Sequence, residues 1–458
     1  MMRWIIPLLA VILFSLPTRA ESPVTVETFT LENGMEAVVI PNHRVPAVSH
    51  MLWFRIGSAD EPRGYSGLAH YLEHMLFKGT DKLGIGEYSQ IMAAHGGAHN
   101  AFTGTDYTGY YVNIAKEHLP MVMGIEADRM VNLKVDDQEF LKEREVIMEE
   151  RSMRLDNQPD AVLREQMMAT LFRHHPYGTS IIGWRHEMEA LSKEQVFDMY
   201  RRYYHPNNMV LVVAGDITAE ELKPLAEKYY GALEKGEDLT RDWAVEPPQR
   251  AERRVIYRDH KVMQPTFSRY YHAPSYVEGD TQHAMPLSLF AEVLGGSQTS
   301  RLYQSLVVDQ KVATSASAYY NGLDRGPSVF YVSATPAEGV TLEELEAAID
   351  EVMQLTITNG VTPQELQRAK TLAKAEVIYA RDGLQSLAYL FGQLWMVGLD
   401  AEFFNSWPEK IEAIAATQLT DAAKAVLVKH ASVTGWLLPE DEATQQAQAP
   451  SEGGNDDV

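Results

Sequence analysis

A chain of 458 residues is longer than one ordinary core supports and predicts two or more domains. Its 45% hydrophobic and 22% charged residues are those of a globular protein, and a formal charge of −23 makes nucleic acid and anionic membrane surfaces poor partners. With no Cys anywhere, neither a disulfide nor a thiolate ligand is available, so any metal site must be built from His and carboxylates.

Residues 1–20 have the form of a signal peptide: a positive start at Arg3, an apolar run from Trp4 to Leu16, and small residues ahead of a cut after Ala20. The expectation is export to a periplasm, where the lack of thiols is an advantage, with no membrane attachment after cleavage. Val24 to Ile40 alternates around Asn33-Gly34, the mark of a hairpin. Val48 to Ile56 reads as a strand, and Gly57 to Gly64 as the loop leading into a helix that carries His70. Ile85 to Ala94 reads as a helix and His99 to Asn113, rich in Thr and aromatics, as two strands around a turn. Helices follow over Leu119–Met130 and Gln138–Arg154, with a loop at Pro176-Tyr177-Gly178. Ser192 with Gln195 forms a capping box, and Met209 to Asp216 is a buried strand ending in a turn. Strands and helices mix without strict alternation, which predicts an α+β fold.

Glu234 to Arg254 is charged, contains Pro247-Pro248, and reads as a linker. Beyond it the first half repeats. Tyr331-Val332, a helix from Leu342, and Val361-Thr-Pro-Gln-Glu-Leu match Tyr111-Val112, its helix, and Val135-Asp-Asp-Gln-Glu-Phe140; the stretch from His430 to Pro439 matches that from His205 to Ala214. The expected organisation is a signal peptide at 1–20, a first domain at 21–235, a linker at 236–254, a homologous second domain at 255–440 and a disordered tail at 441–458.

The first half contains His70-Tyr-Leu-Glu-His74. Leu68, Leu72, Met75 and Leu76 recur at helical spacing, which leaves His70, Glu73 and His74 together on the other side. Ser66 is the expected cap of this helix and Gly79 its stop. Two imidazoles one turn apart reach one metal ion, and a carboxylate between them can deprotonate water; two ordinary helix histidines are the alternative. A third ligand is sought in Lys142 to Arg151. Glu150 shares a stripe with Glu143, Val146, Ile147 and Met153, expected to face inward, whereas Glu149 groups with Lys142, Glu145 and Ser152, expected to face water. Two carboxylates on an apolar face need compensation, either by a cation or by buried salt bridges to Arg or Lys. In the second half, Leu-Gly-Gly-Ser near residue 296 stands where the His motif would fall.

His-x-x-Glu-His followed after 75 residues by Glu150 resembles the inverzincin peptidases of family M16, which include pitrilysin, insulysin and the mitochondrial processing peptidase. The resemblance extends to Gly96 to Ala101, the Glu-Arg-x-Val-Ile segment, His175-Pro-Tyr-Gly178, Tyr204 to Asp216 and Gly295 to Tyr303, and so spans both halves. It implies two homologous α+β domains facing each other as a clamshell, with one Zn2+ per chain on the inner wall of the first. His70, His74 and Glu150 would hold zinc, Glu73 would act as general base, and Glu143 would support the ligands from behind. The strand from Ala98 to Thr103 would be the edge that takes an extended peptide, with Ala98, Asn100, Ala101 and Phe102 at the substrate; for Asn100 a plain turn role is the alternative.

Relatives that work alone carry an Arg and a Tyr seven residues apart in the second domain. Alignment on Ser300 to Leu306 places Val307 and Thr314 there, and neither can orient a peptide or donate to an oxyanion as those residues do. Arg301 and Tyr303 belong to a helix segment common to the family and read as structural. The resemblance therefore implies the zinc-bearing half of a heterodimer with a zinc-free homologue, a homodimer being the other arrangement. Its expected activity is hydrolysis of extended or unstructured peptides in the periplasm. A non-catalytic binding or assembly subunit is the competing expectation, and a zinc carrier a third.

Overall fold

The computed structural model describes residues 23–440; the expected signal peptide at 1–20 and tail at 441–458 lie outside the described residues. β1 (Glu27–Thr30) and β2 (Glu36–Pro41) form the hairpin around Asn33-Gly34, with Gly34 at φ +89. They join β3 (Ala47–Phe54), β4 (Ala98–Thr103), β5 (Thr108–Ala115) and β6 (Met209–Gly215) in a sheet of order β1-β2-β6-β3-β5-β4, parallel only between β2 and β6. Every residue of β6 is buried, as its unbroken apolar run predicts.

One face of this sheet carries α1 (Leu68–Met75), α2 (Glu87–Ala94), α3 (Leu119–Val131) and α4 (Asp137–Arg151). α5 (Pro159–Leu171) and α6 (Arg185–Ala190) follow, and then α7 (Lys193–Tyr203) and α8 (Ala219–Tyr229) return to that core. α7 begins on the predicted Ser192–Gln195 capping box. Residues 241–249 run along the seam between the halves: Arg241 donates to Asp60 (2.8 Å), and Gln249 Nε2 donates to the Ser432 carbonyl (2.6 Å).

The second half repeats the plan. β7 (Arg253–Asp259), β8 (Thr266–Ala273), α9 (Ala284–Gly295), β9 (Ala313–Tyr320) and β10 (Ser328–Pro336) are followed by α10 (Leu342–Asn359), α11 (Pro363–Ala380), α12 (Leu384–Val397), α13 (Ala401–Ala413), α14 (Ala416–Val426) and β11 (Ser432–Pro439). Its sheet, β7-β11-β8-β10-β9, is parallel only between β7 and β11. Strand for strand it is the first sheet without β1, so the repeats seen in sequence are repeats of topology.

The halves exchange helices. α5 lays Leu163, Met167 and Leu171 on Val433 and Leu437 of the second sheet, while α12 lays Leu387, Ala388, Phe391 and Leu394 on Val38, Met51, Trp53, Val210 and Val212 of the first. Each helix is the third after its strand pair, and each completes the other half's core. Burying such a side chain is worth about 1.5–3 kcal/mol, so neither sheet keeps its apolar face covered without the other half. At Gly392 of α12 an added Cβ would lie 2.0 Å from the Trp53 ring.

The start of α1 departs from expectation. Ser66 does not cap it; its Oγ accepts from the Trp184 N–H (2.8 Å). The orphan N–H groups of Gly67 and Ala69 are taken by the Glu61 carboxylate, each at 2.8 Å, a tertiary contact that local sequence does not announce. Gly67 sits at φ +89, where a Cβ would meet Met188 Sδ at 2.1 Å, and Gly79 lies beyond the end of α1 rather than at it. The inward stripe of α4 also differs from expectation. Phe140, Glu143, Ile147 and Arg151 are buried, but Val146 and Met153 are 50% and 57% exposed. The buried stripe is narrower than the periodic one, and the π-helical winding of Ser152–Asp156 turns Met153 out of phase.

At the seam, Tyr177 donates to Asp106 (2.6 Å), and Asp106 and the Tyr177 hydroxyl accept the N–H groups of Arg325 (3.0 Å) and Gly326 (2.8 Å). Beside them burial, with repulsion from Asp106, pushes the Asp324 carboxyl up to about 6. A carboxyl raised in the fold binds its proton more tightly there than in the unfolded chain, so its contribution to stability is lost as pH rises from about 4 to about 6. Asp324→Asn should therefore gain on the parent across that interval by about 3 kcal/mol and then run parallel to it, in urea titrations at fixed pH. Gly392→Ala should cost about 1–3 kcal/mol by the same assay, because Trp53 or α12 must shift.

Candidate metal centre

α1 presents His70, Glu73 and His74 on the side away from its buried leucines, and α4 crosses it with Glu143 and Glu150. The Nε2 atoms of His70 and His74 stand 3.6 and 3.3 Å from the same oxygen of Glu150. The three ligand atoms lie within 4.8 Å of one another, inside the reach of a single ion with bonds of about 2 Å. Glu149, one residue away, is exposed. His74 Nδ1 is 2.8 Å from Glu143, which leaves Nε2 turned to the ion, and His70 Nδ1 is buried without a hydrogen-bond partner among the described residues. Two imidazoles and one carboxylate with an open fourth direction are the donor set of a hydrolytic zinc, and the residues fit that ion.

The two imidazoles and three carboxylates of the group titrate differently. Burial opposes charge on His74, but hydrogen bonds to Glu143 and Glu150 outweigh it and raise this group to about 9. Burial, with the charge of His74, lowers His70 to about 4. Burial raises Glu73, while the Thr103 hydroxyl, donating to its Oε2 at 2.5 Å, works in the opposite direction. Glu143 resists burial through His74 and Lys78, whose ammonium pairs with its second oxygen. Arg154 pairs with the outer oxygen of Glu150 at 2.9 Å.

β4 is an edge strand, hydrogen-bonded only to β5, so its other backbone edge is free. Asn100, Ala101, Phe102 and Thr103 line a cavity of about 900 Å3 together with the metal-binding group; Ala98 lies outside that lining. The Asn100 side chain accepts from the Ala101 N–H (2.9 Å), and Phe102 packs edge-on to Trp53 and at a tilt to Tyr389, with centroids at 4.8 and 5.0 Å. Sequence reasoning passed over Lys78, Thr103, Arg154 and Arg164, all on this cavity wall. Lys78 and Arg154 had a signal, each four residues past a metal-binding residue, His74 and Glu150; Thr103 and Arg164 arrive by tertiary folding.

Family models match two segments: residues 37–184 fit "Insulinase (Peptidase family M16)" and residues 190–372 fit "Peptidase M16 inactive domain". The zinc protease PqqE of Helicobacter pylori is 27% identical over 90% of this chain and 93% of its own length. An uncharacterised zinc protease of Mycobacterium leprae is 30% identical over 76% of this chain and 77% of its own. A Helicobacter pylori protease of known structure superposes with a TM-score of 0.86 at 26% identity, covering 91% of this chain and all of that one. The periplasmic protease PqqL of Escherichia coli shares the fold with a TM-score of 0.78 at 19% identity, over 94% of this chain and 50% of that one.

Because Glu143 orients His74 from behind, Glu143→Gln should weaken zinc binding about 10–100-fold in competition with a chelator. Glu149→Gln, on the exposed side of α4, should leave it unchanged.

Proposed function

The chain belongs to peptidase family M16, and from that premise we propose a zinc-dependent endopeptidase that hydrolyses extended peptides in the periplasm, as the zinc-bearing subunit of a heterodimer. The observation that carries the reading is the convergence of His70, His74 and Glu150 beside a buried carboxylate, Glu73, held by Thr103. Zinc at that group would polarise the scissile carbonyl and acidify water. Glu73 takes the proton of the attacking water and passes it to the leaving amine. Its burial raises its pKa from the ordinary carboxylate value toward that exchange, and the Thr103 hydrogen bond occupies one oxygen and leaves the other for the proton. The free edge of β4 offers N–H and C=O groups to an extended chain, which orders the peptide across α1 without demands on its sequence.

The heterodimer rests on what stands at the two clamp positions. Val307 packs against the second core and Thr314 is exposed, its hydroxyl directed to the Thr335 carbonyl at 3.4 Å, so neither donates to an oxyanion. Arg301 is held by Glu365 at 2.7 Å and by the Gly360 carbonyl, which supports its structural role. The Escherichia coli protease, described as periplasmic and twice the length of this fold, is a precedent for that compartment and for two such units together. The reading as a binding subunit draws on the "inactive domain" match, but that segment covers the half without His70, His74 and Glu150.

Glu73→Gln separates the two readings. An enzyme keeps its zinc and loses turnover by about 10²–10⁴-fold, whereas a binding subunit pulls down its partners as before. The zinc-loaded chain should cleave unstructured peptides slowly alone and faster with a zinc-free homologue from the same periplasm; full activity alone would remove the heterodimer and leave the peptidase.

A further inference from the structure

The metal-site cavity is lined by four charged groups besides the metal-binding set and the base, Lys78, Glu143, Arg154 and Arg164, with the imidazole of His99 beside them. Two of the cations are already satisfied. Lys78 is paired with Glu143, and Arg154 with Glu150 at 2.9 Å. Arg164 is exposed and forms no ion pair among the described residues. Its nearest charge effect is on the Tyr270 hydroxyl, whose pKa burial raises and Arg164 draws down. The chain holds 63 Asp and Glu against 40 Lys and Arg, so carboxylates are in excess, yet among the described residues none pairs with this guanidinium.

The backbone that carries Arg164 is anchored on both sides. On α5, Leu163 faces the second sheet and Glu165 is buried in a two-point pair with Arg151, at 3.0 Å for each bond. Arg151 follows Glu150 directly, so the ion pair links the backbone of the third metal-binding residue to the residue next to Arg164. Arg164 therefore lines the cavity from a helix tied to the metal-binding segment by a buried bond rather than by a loop. An extended peptide on the edge of β4 points alternate side chains to opposite sides, and Arg164 lines the same cavity as that edge.

We propose that Arg164 is a specificity-determining residue that receives a carboxylate of the substrate, so that this chain prefers peptides carrying Asp or Glu at one fixed position near the scissile bond. A guanidinium takes a carboxylate through two parallel hydrogen bonds, which gives direction as well as charge, and an aliphatic side chain there leaves the cation unpaired. The same chemistry is offered by a free C-terminal carboxylate, which would place the cut at a set distance from the peptide's end. The inference rests on the peptidase reading above and adds the substrate class.

The test is a zinc-loaded digest of mixed peptides, with both ends blocked or with the C-terminus free, read by mass spectrometry for the parent chain and for Arg164→Ala, Arg164→Lys and Arg164→Glu. The ratio of kcat/KM for acidic over neutral residues at one position should be roughly tenfold in the parent and near one in Arg164→Ala. It should be partly kept in Arg164→Lys and turned toward Lys and Arg in Arg164→Glu; added salt should shrink it. Preference only among free C-termini assigns the carboxylate to the peptide end. An even digest by the parent, or an acidic preference that survives Arg164→Glu, overturns the inference while leaving the peptidase intact. Binding of the same peptides to the Glu73→Gln chain needs no turnover. Arg164-dependent selection of acidic peptides there upholds the inference even if cleavage is never seen, and unselective binding overturns it.

Discussion

The buried pair between Arg151 and Glu165 is the contact on which the rest of the molecule turns. Arg151 closes α4 immediately after Glu150, and Glu165 sits in the middle of α5, whose apolar side covers the second sheet. Arg151 also donates to the Gly183 carbonyl, in the loop that lies against Ser66 and Gly67 where α1 begins. One guanidinium thus ties together the third metal-binding residue, the start of the helix that carries the other two, and the helix that joins the halves. Removing Arg151 would leave the buried Glu165 carboxylate without compensation, a loss of about 3–5 kcal/mol, whereas without Glu165 the guanidinium would keep Asp156 at 3.3 Å. A purely apolar contact of equal strength would hold α5 in place but would not set its direction, and direction is what fixes a site assembled from two helices.

The duplication shows how a metal group belongs to one half only. Glu376 stands as far past the Thr362 cap of α11 as Glu150 stands past the Asp136 cap of α4, so the second half keeps a carboxylate at the matching place. What it lacks is the pair of imidazoles. The helix matching α1 is α9, which ends in Gly295-Gly296, and at Gly295 a Cβ would lie 2.1 Å from the Ala318 N of β9. That close approach of backbone to edge strand excludes any side chain there. The two copies have diverged at the helix facing the edge strand: one supplies imidazoles, and the other brings helix and strand into contact.

Much of this was legible in the sequence because it is local. The Asn33-Gly34 hairpin, the Ser192 capping box, the apolar run of β6 and the i, i+4 spacing of His70 and His74 are each set by neighbours within a few residues. The choice of Glu150 over Glu149 also followed from period alone, and the exposed position of Glu149 agrees with it. What escaped depends on partners far along the chain. Glu61 displaced Ser66 as the cap of α1 because a carboxylate brought by the fold can serve two N–H groups at once, which a serine beside the helix cannot. The exchange of α5 and α12 left no mark in periodicity, since an amphipathic helix looks the same whichever sheet it covers. The outward turn of Met153 came from a π-helical stretch that spacing rules do not contain.

The remaining constraint is how to keep a base reactive in a cavity crowded with carboxylates. Glu73, Glu143 and Glu150 lie on one wall, and without compensation their mutual repulsion would raise all three. The fold treats them unequally. Glu143 is closed by Lys78 and His74, and Glu150 by His74 and Arg154, so both are held below the ordinary carboxylate value. Glu73 forms no ion pair among the described residues; burial raises it and outweighs the Thr103 hydrogen bond and the more distant charges of His74 and Arg154. Ion pairs go to the residues that must stay charged, and a neutral hydrogen bond to the residue that must exchange a proton. Because Thr103 ends the same edge strand whose backbone lies open along the cavity, the group that steadies the base and the groups that would order a peptide belong to one strand.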